Sequence, residues 1–238
     1  MVVSYSPAGV QAPNTTNLCD NTTACYVTED TFDNGTSSDF QYLVDTGVTG
    51  SIDSSYTGAY TIPAANEYGG AGGTGHFIDV TDNSYTLTFS TTGDIPGVDY
   101  FGLWFSALDG GNELTFYNGT TVLYTFNAQS FISLVGACSG SNPFCGNPNN
   151  RTEDSGEQFA FLNFFYEGAG PGDYITSIKF TETTSAGFES DNHTEAYLNP
   201  PNPSGTVFEG APEPGSMTLL GIGAAVVIGL KRRSIRGC

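Results

Sequence analysis

The chain has 238 residues, 13% of them aromatic, and a formal net charge of −19, which suits one sizeable all-β domain and excludes wholesale disorder. Arg151 and Lys179 are the only basic residues before position 231, against all 25 acidic residues, a balance that repels phosphate backbones and excludes a nucleic-acid partner. Abundant Gly, Ser, Thr and Asn favour short strands and turns over long helices.

The opening segment, MVVSYSPAGVQAPNTTN, has no basic start and no apolar run of the length a secretory signal needs. Cys19 and Cys25 then flank the polar stretch CDNTTAC, and Cys138 and Cys145 flank CSGSNPFC. Each pair can close a small loop. Two local disulfides are expected, although four cysteines allow three pairings. The stretch TEDTFDN at 28–34 concentrates oxygen donors, as does FESDN at 188–192. A first and a last strand are often neighbours in a sandwich, so Glu29, Asp30 and Asp33 could meet Glu189 and Asp191 around a calcium ion, a hard cation that takes oxygen ligands. Solvated turn carboxylates explain the same residues equally well.

Gly70, Gly72 and Gly75 match G-x-G-x-x-G, but the sequence that follows, HFIDVTDNSYTLTF, reads as strand where a dinucleotide fold needs a helix. Strands are expected at SYTLTFS (84–90) and FGLWFS (101–106). ELTFY and TVLYTF flank Asn118-Gly119, which predicts a tight hairpin. AQSFISLV (128–135) reads as a short helix. QFAFLNFFY (158–166) is apolar on both faces, as a centrally placed strand would be, and YITSIKF (174–180) alternates. About ten short strands with turn signals between them imply a β-sandwich, and a jelly roll is the best choice among sandwiches. Trp104, Tyr100, Tyr117 and Tyr124 are candidates for an aromatic platform on which a sugar ring stacks, although aromatics at strand spacing more often belong to a core.

Catalytic patterns are missing. His76 and His193 lie outside any H-E-x-x-H, and G-x-S-x-G does not occur. No EF-hand loop is present. A carboxylate pair for glycoside hydrolysis is compatible with 25 acidic residues but undemanding of them.

The chain closes with APEPGSMTLLGIGAAVVIGLKRRSIRGC. NPPNPSG at 199–205 reads as linker, giving a sandwich over 1–198, a linker over 199–211 and a tail over 212–238. Residues 216–230 carry no charge and as a helix span roughly 22 Å, short of the ~30 Å hydrocarbon core. Lys231, Arg232, Arg233 and Arg236 follow directly and hold that end in the cytoplasm, so the body lies outside. Pro212-Glu213-Pro214, an apolar helix rich in Gly and Leu and a terminal basic cluster together resemble the PEP-CTERM sorting signal of Gram-negative bacteria. The resemblance implies recognition and processing by exosortase, a membrane-embedded enzyme, with Pro212, Glu213 and Pro214 as the motif and the basic cluster as the membrane stop. It also implies a precursor anchored in the inner membrane and a product at the cell surface or in the extracellular matrix. An in-frame signal peptide upstream of VVSYSPAG is therefore expected. GLWFSALDGGNELTFYNGTTVLYTFN (102–127), with FAFLNFF and GFESDNHT, is similar to one group of exosortase-dependent surface proteins, a group that implies no activity. The expected role is structural or adhesive, with extracellular polysaccharide as a partner and calcium as the one cofactor to test. A secreted glycan-active enzyme is the competing class.

Overall fold

A computed structural model describes residues 1–208, apart from 21–23, 140, 169–171, 200 and 202. The described strands are β1 (Val2–Tyr5), β2 (Cys25–Asp30), β3 (Phe40–Thr46), β4 (Ile52–Gly58), β5 (Ile78–Thr81), β6 (Ser84–Thr91), β7 (Tyr100–Leu108), β8 (Asn112–Asn118), β9 (Thr121–Asn127), β10 (Gln158–Phe165), β11 (Ser177–Glu182), β12 (Gly187–Tyr197) and β13 (Thr206–Phe208). Two short helices, α1 (Thr15–Leu18) and α2 (Ala128–Val135), join them. The strands form two antiparallel sheets, as an all-β sandwich requires. One runs β13-β1-β10-β7-β12-β2-β3 with β5 also on β12, and the other runs β4-β6-β11-β8-β9. From β5 to β12 the chain crosses between the sheets at every connection except the β8–β9 hairpin, which stays in the smaller sheet.

One apolar cluster fills the space between the sheets. Phe101, Leu103, Phe105, Ala160, Leu162 and Phe164 enter it from the larger sheet, and Leu87, Leu114, Phe116, Ile178 and Phe180 from the smaller. Alternation sends the intervening side chains to the outer face of the larger sheet. There Tyr100, Phe165, Val27 and Ala196 pack with Leu18 of α1, and Trp104, Phe159 and Phe161 pack with Val10 and Ala71. This is why every residue of β10 is buried, as its two-sided apolar sequence predicts. The outer cover is made of α1 and loops.

The hairpin between β8 and β9 forms one residue later than the Asn-Gly dipeptide suggests. Asn118 pairs with Thr121, so Gly119 and Thr120 make the turn, and Gly119 supplies the positive φ of 57°. Asn118 instead donates through Nδ2 to Asp173 Oδ1 at 3.0 Å. The helix expected at 128–135 is present, with the Asn127 side chain accepting from Gln129 N at 2.8 Å as its cap. Both expected disulfides, Cys19–Cys25 and Cys138–Cys145, are formed. The sandwich runs further than position 198. Residues 206–208, expected within the linker, form β13 on β1, and Phe208 packs on Tyr5, Phe126 and Phe131. Met1–Phe208 is one compact unit.

Phe180 lies at the centre of the core, stacked on Tyr85 at 4.4 Å and on the His193 ring at 5.1 Å. Phe180→Ala is expected to destabilise the protein by about 3–5 kcal/mol, read as a lower denaturant midpoint with an unchanged slope.

Candidate functional site

A groove of about 640 Å³ lies between two loops, one running through Ala65–Gly73 and the other through Asn147–Glu153. Asparagines shape both. Asn66 Oδ1 accepts from Tyr68 N at 2.8 Å and Gly69 N at 3.2 Å, which turns the first loop and lifts Tyr68. Asn147 Nδ2 donates to Glu67 O at 3.0 Å, and Asn149 Nδ2 donates to Gly70 O at 3.2 Å, which fastens the second loop to the first. Asn150 Nδ2 donates to Glu153 Oε1 at 2.9 Å. Tyr68 is 43% exposed on the rim, and Glu67 and Glu153 line the same groove.

The glycine run supplies the floor. Gly70, Gly72 and Gly73 have φ of 97°, 71° and 75°, a path closed to most side-chain-bearing residues. A short 3-10 turn at Ala71–Gly73 takes the place of a helix, and β5 follows, so no dinucleotide fold is built on the glycine motif. The loop is anchored from below. Ala71 N donates to Asp191 Oδ2 at 2.7 Å, and Gly72 N donates to Gln11 Oε1 at 3.1 Å. Asp191 is presented by an irregularity in β12, where Asn192 takes a φ of 49° and donates through Nδ2 to Gln11 O.

The five expected calcium ligands do not converge. β2 and β12 are neighbours as expected, with Glu29 opposite Thr194 and Asp30 opposite His193. Alternation then separates the carboxylates. Glu29 lies on the outer face, where its Oε1 accepts from Thr194 Oγ1 at 3.2 Å, and the charges of Asp33 and Asp191 act on the same side. Asp30 points between the sheets, and Glu189 pairs across strands with Asp79. Among the described residues no three His, Cys, Asp or Glu side chains gather as a metal-binding group.

The expected aromatic platform is divided too. Trp104 and Tyr100 are fully buried, because the segments holding Val10, Ala71 and Leu18 cover that face, so neither ring is open to a sugar. Tyr117 and Tyr124 are half-buried on the other sheet. Tyr68 escapes a reading by strand periodicity because it sits alone in a loop. Its one sequence signal is the run of turn residues around it.

A second polar constellation lies between the sheets. Tyr56 Oη meets His193 Nδ1 at 3.0 Å, and Ser190 Oγ meets His193 Nε2 at 2.9 Å. The serine and histidine have the contact of a nucleophile and its base, but both are 0% exposed, so no substrate reaches them in this structure. Burial lowers the His193 pKa to about 3 and keeps the ring neutral.

Residues 211–233 match the family model of the PEP-CTERM protein-sorting motif. The chain carries a PEP-CTERM sorting signal. The signal implies exosortase-dependent export and sorting to the cell surface. No curated protein and no solved structure matches the chain. Pro212, Glu213, Pro214, the apolar segment 216–230, Lys231, Arg232, Arg233 and Arg236 lie outside the described residues. Among the described residues no helix is long and apolar enough to cross a membrane.

Replacing Pro212 and Glu213 together by alanine is expected to leave the unprocessed PEP-CTERM precursor in the membrane fraction of an exosortase-bearing host. Intact mass of the recovered protein checks this, and processing at the native rate would contradict it. Asp191 predicts an unusual pH response. Burial pushes its carboxyl up to about 8, with the charges of Asp33 and Glu29 adding to the rise and the amides of Ala71 and Asn192 opposing it. The folded state therefore holds this proton more tightly than the unfolded chain. The contribution is complete below about pH 4 and is lost as pH rises through about 8, at no more than about 1.4 kcal/mol per pH unit. Melting temperature is expected to fall from pH 5 to pH 8.5, and Asp191→Asn is expected to flatten that fall.

Proposed function

We propose that the exported body is a glycan-binding module of the cell surface or extracellular matrix, with a structural or adhesive role. The observation that carries this reading is the exposed Tyr68 beside a groove of amides and carboxylates. A flat ring on the rim suits the apolar face of a pyranose, and polar groups beside it suit the hydroxyls around the ring edge. Among the described residues the groove is lined by Glu67 and Glu153 and by no basic residue. It is therefore suited to neutral or amino sugars and opposed to anionic polymers. The strand orders β5-β12-β7-β10 and β6-β11-β8-β9 support reading the eight central strands as a jelly roll. In the same reading, residues 216–230 hold the precursor transiently in the inner membrane, and Lys231, Arg232, Arg233 and Arg236 stop it there.

One observation favours a second reading. Glu67 and Glu153 line the same groove, and a pair of carboxylates is what glycoside hydrolysis needs. A glycan array probed with the detergent-solubilised full-length chain separates the two. Binding without turnover, weakened about tenfold or more by Tyr68→Ala, is expected. Release of reducing sugar that is abolished by Glu67→Gln or Glu153→Gln would establish the enzyme instead. An array with no saturable binding would remove the module.

A further inference from the structure

The interior holds two acids with no counter-charge. Asp30 on β2 and Glu195 on β12 are both 0% exposed. They lie on neighbouring antiparallel strands, since Asp30 pairs with His193 and Glu195 with Thr28, and the charge of Asp30 acts on Glu195. Both point across to β4 of the opposite sheet, where Ser54 and Tyr56 face them. Asp30 Oδ1 accepts from Phe32 N at 3.1 Å. Asp30 Oδ2, both carboxylate oxygens of Glu195 and Ser54 Oγ are each buried without a hydrogen-bond partner. Ser54 faces Glu195 without the geometry of a hydrogen bond, and Tyr56 Oη spends its close contact on His193.

Isolated buried carboxylates are too costly to persist, so something must neutralise them. Among the described residues the cations do not. Arg151 donates to Pro143 O at 2.7 Å in a distant loop, and Lys179 lies on the face of β11 opposite the core residues Ile178 and Phe180. His193 is fixed at both ring nitrogens by Tyr56 and Ser190. The unpartnered atoms are all oxygens, and a set of carboxylate and hydroxyl oxygens with no nitrogen or sulfur is a hard donor set.

We propose that a hard divalent cation of the calcium class binds between the two sheets, held by Asp30, Glu195 and Ser54. The site clamps β4 of one sheet to β2 and β12 of the other. It shares only Asp30 with the ligand set expected from sequence, because Ser54 and Glu195 lie outside both acidic stretches. Two carboxylates make a modest site, so the dissociation constant belongs near the ~0.1–1 mM of extracellular calcium modules.

The test uses the full-length chain in detergent at pH 7.5, dialysed against EDTA and then titrated with calcium chloride. Melting temperature is expected to rise by about 3 °C or more at about 10 mM calcium. Terbium(III), a calcium substitute, is expected to show saturable luminescence sensitised by the neighbouring Tyr56 and displaced by calcium. Glu195→Gln and Asp30→Asn are expected to abolish both responses, and Asp45→Asn, at an exposed site on β3, to keep them. Ser54→Ala, the least disruptive change, weakens them and covers the case in which a carboxylate variant does not fold. A wild-type protein whose melting temperature and terbium emission ignore added metal would overturn the proposal and leave protons as the neutralising charge. The same responses persisting in Glu195→Gln or Asp30→Asn would overturn it as well.

Discussion

A single extra residue in β12 arranges most of what is distinctive here. Before the irregularity, Phe188 and Ser190 point into the sandwich; after it, His193, Glu195 and Tyr197 do. Inward residues at 190 and 193 are three apart, where an unbroken strand would place them two apart. Without that shift, Thr194, Ala196 and Leu198 would enter the core, and the histidine and glutamate would face outward. The shift falls where β12 exchanges its partner β5 for β2, so one long strand serves two neighbours along the same edge. Asn192 takes the positive φ that this needs, a conformation asparagine tolerates better than most residues. The same irregularity aims Asp191 outward at the amide of Ala71. The floor of the groove and the polar interior thus share one origin.

Much of the fold was legible because it is local. Both disulfides close loops within seven residues, the hairpin sits between two complementary strands, and the helix at 128–135 carries its own cap. The two-sided apolar pattern of β10 announced a covered outer face but not what covers it. That cover, built from Leu18, Val10 and Ala71, is non-local, and it removed Trp104 and Tyr100 from the surface. The groove was illegible for the same reason. Asn66 and Asn147 are 81 residues apart, and only the fold brings their loops together. The irregularity in β12 did leave a trace: Asp191-Asn192 in mid-strand, two residue types that strands disfavour.

The scarcity of basic residues shapes the interior as well as the surface. Most folds can answer a buried carboxylate with a lysine or arginine. Here such groups are answered by backbone amides, as when Asp99 accepts from Leu198 N at 2.8 Å, or by hydroxyls, as at Glu29. The cost appears as carboxyls pushed upward by burial, to about 7 at Asp99, Glu29 and Asp30. An acidic surface keeps an exported protein soluble. The same composition leaves the core to find its neutrality in protons or in ions taken from outside.

The groove shows how such a composition would build the proposed binding surface. Its asparagines spend their amides on the loops themselves: Asn66 on its own turn, Asn147 and Asn149 on the carbonyls opposite, Asn150 on Glu153. The loops are tied to one another by these bonds, and little freedom is left to lose. A rim already tied in place gives up less conformational entropy when a ligand arrives, and weak contacts then count for more. Affinity would have to come from the ring of Tyr68 and from the carboxylates of Glu67 and Glu153, the groups in the groove with acceptors to offer. Acceptors of one sign select partners that donate, and hydroxyl-rich chains are the partners outside a cell that do so without bringing negative charge of their own.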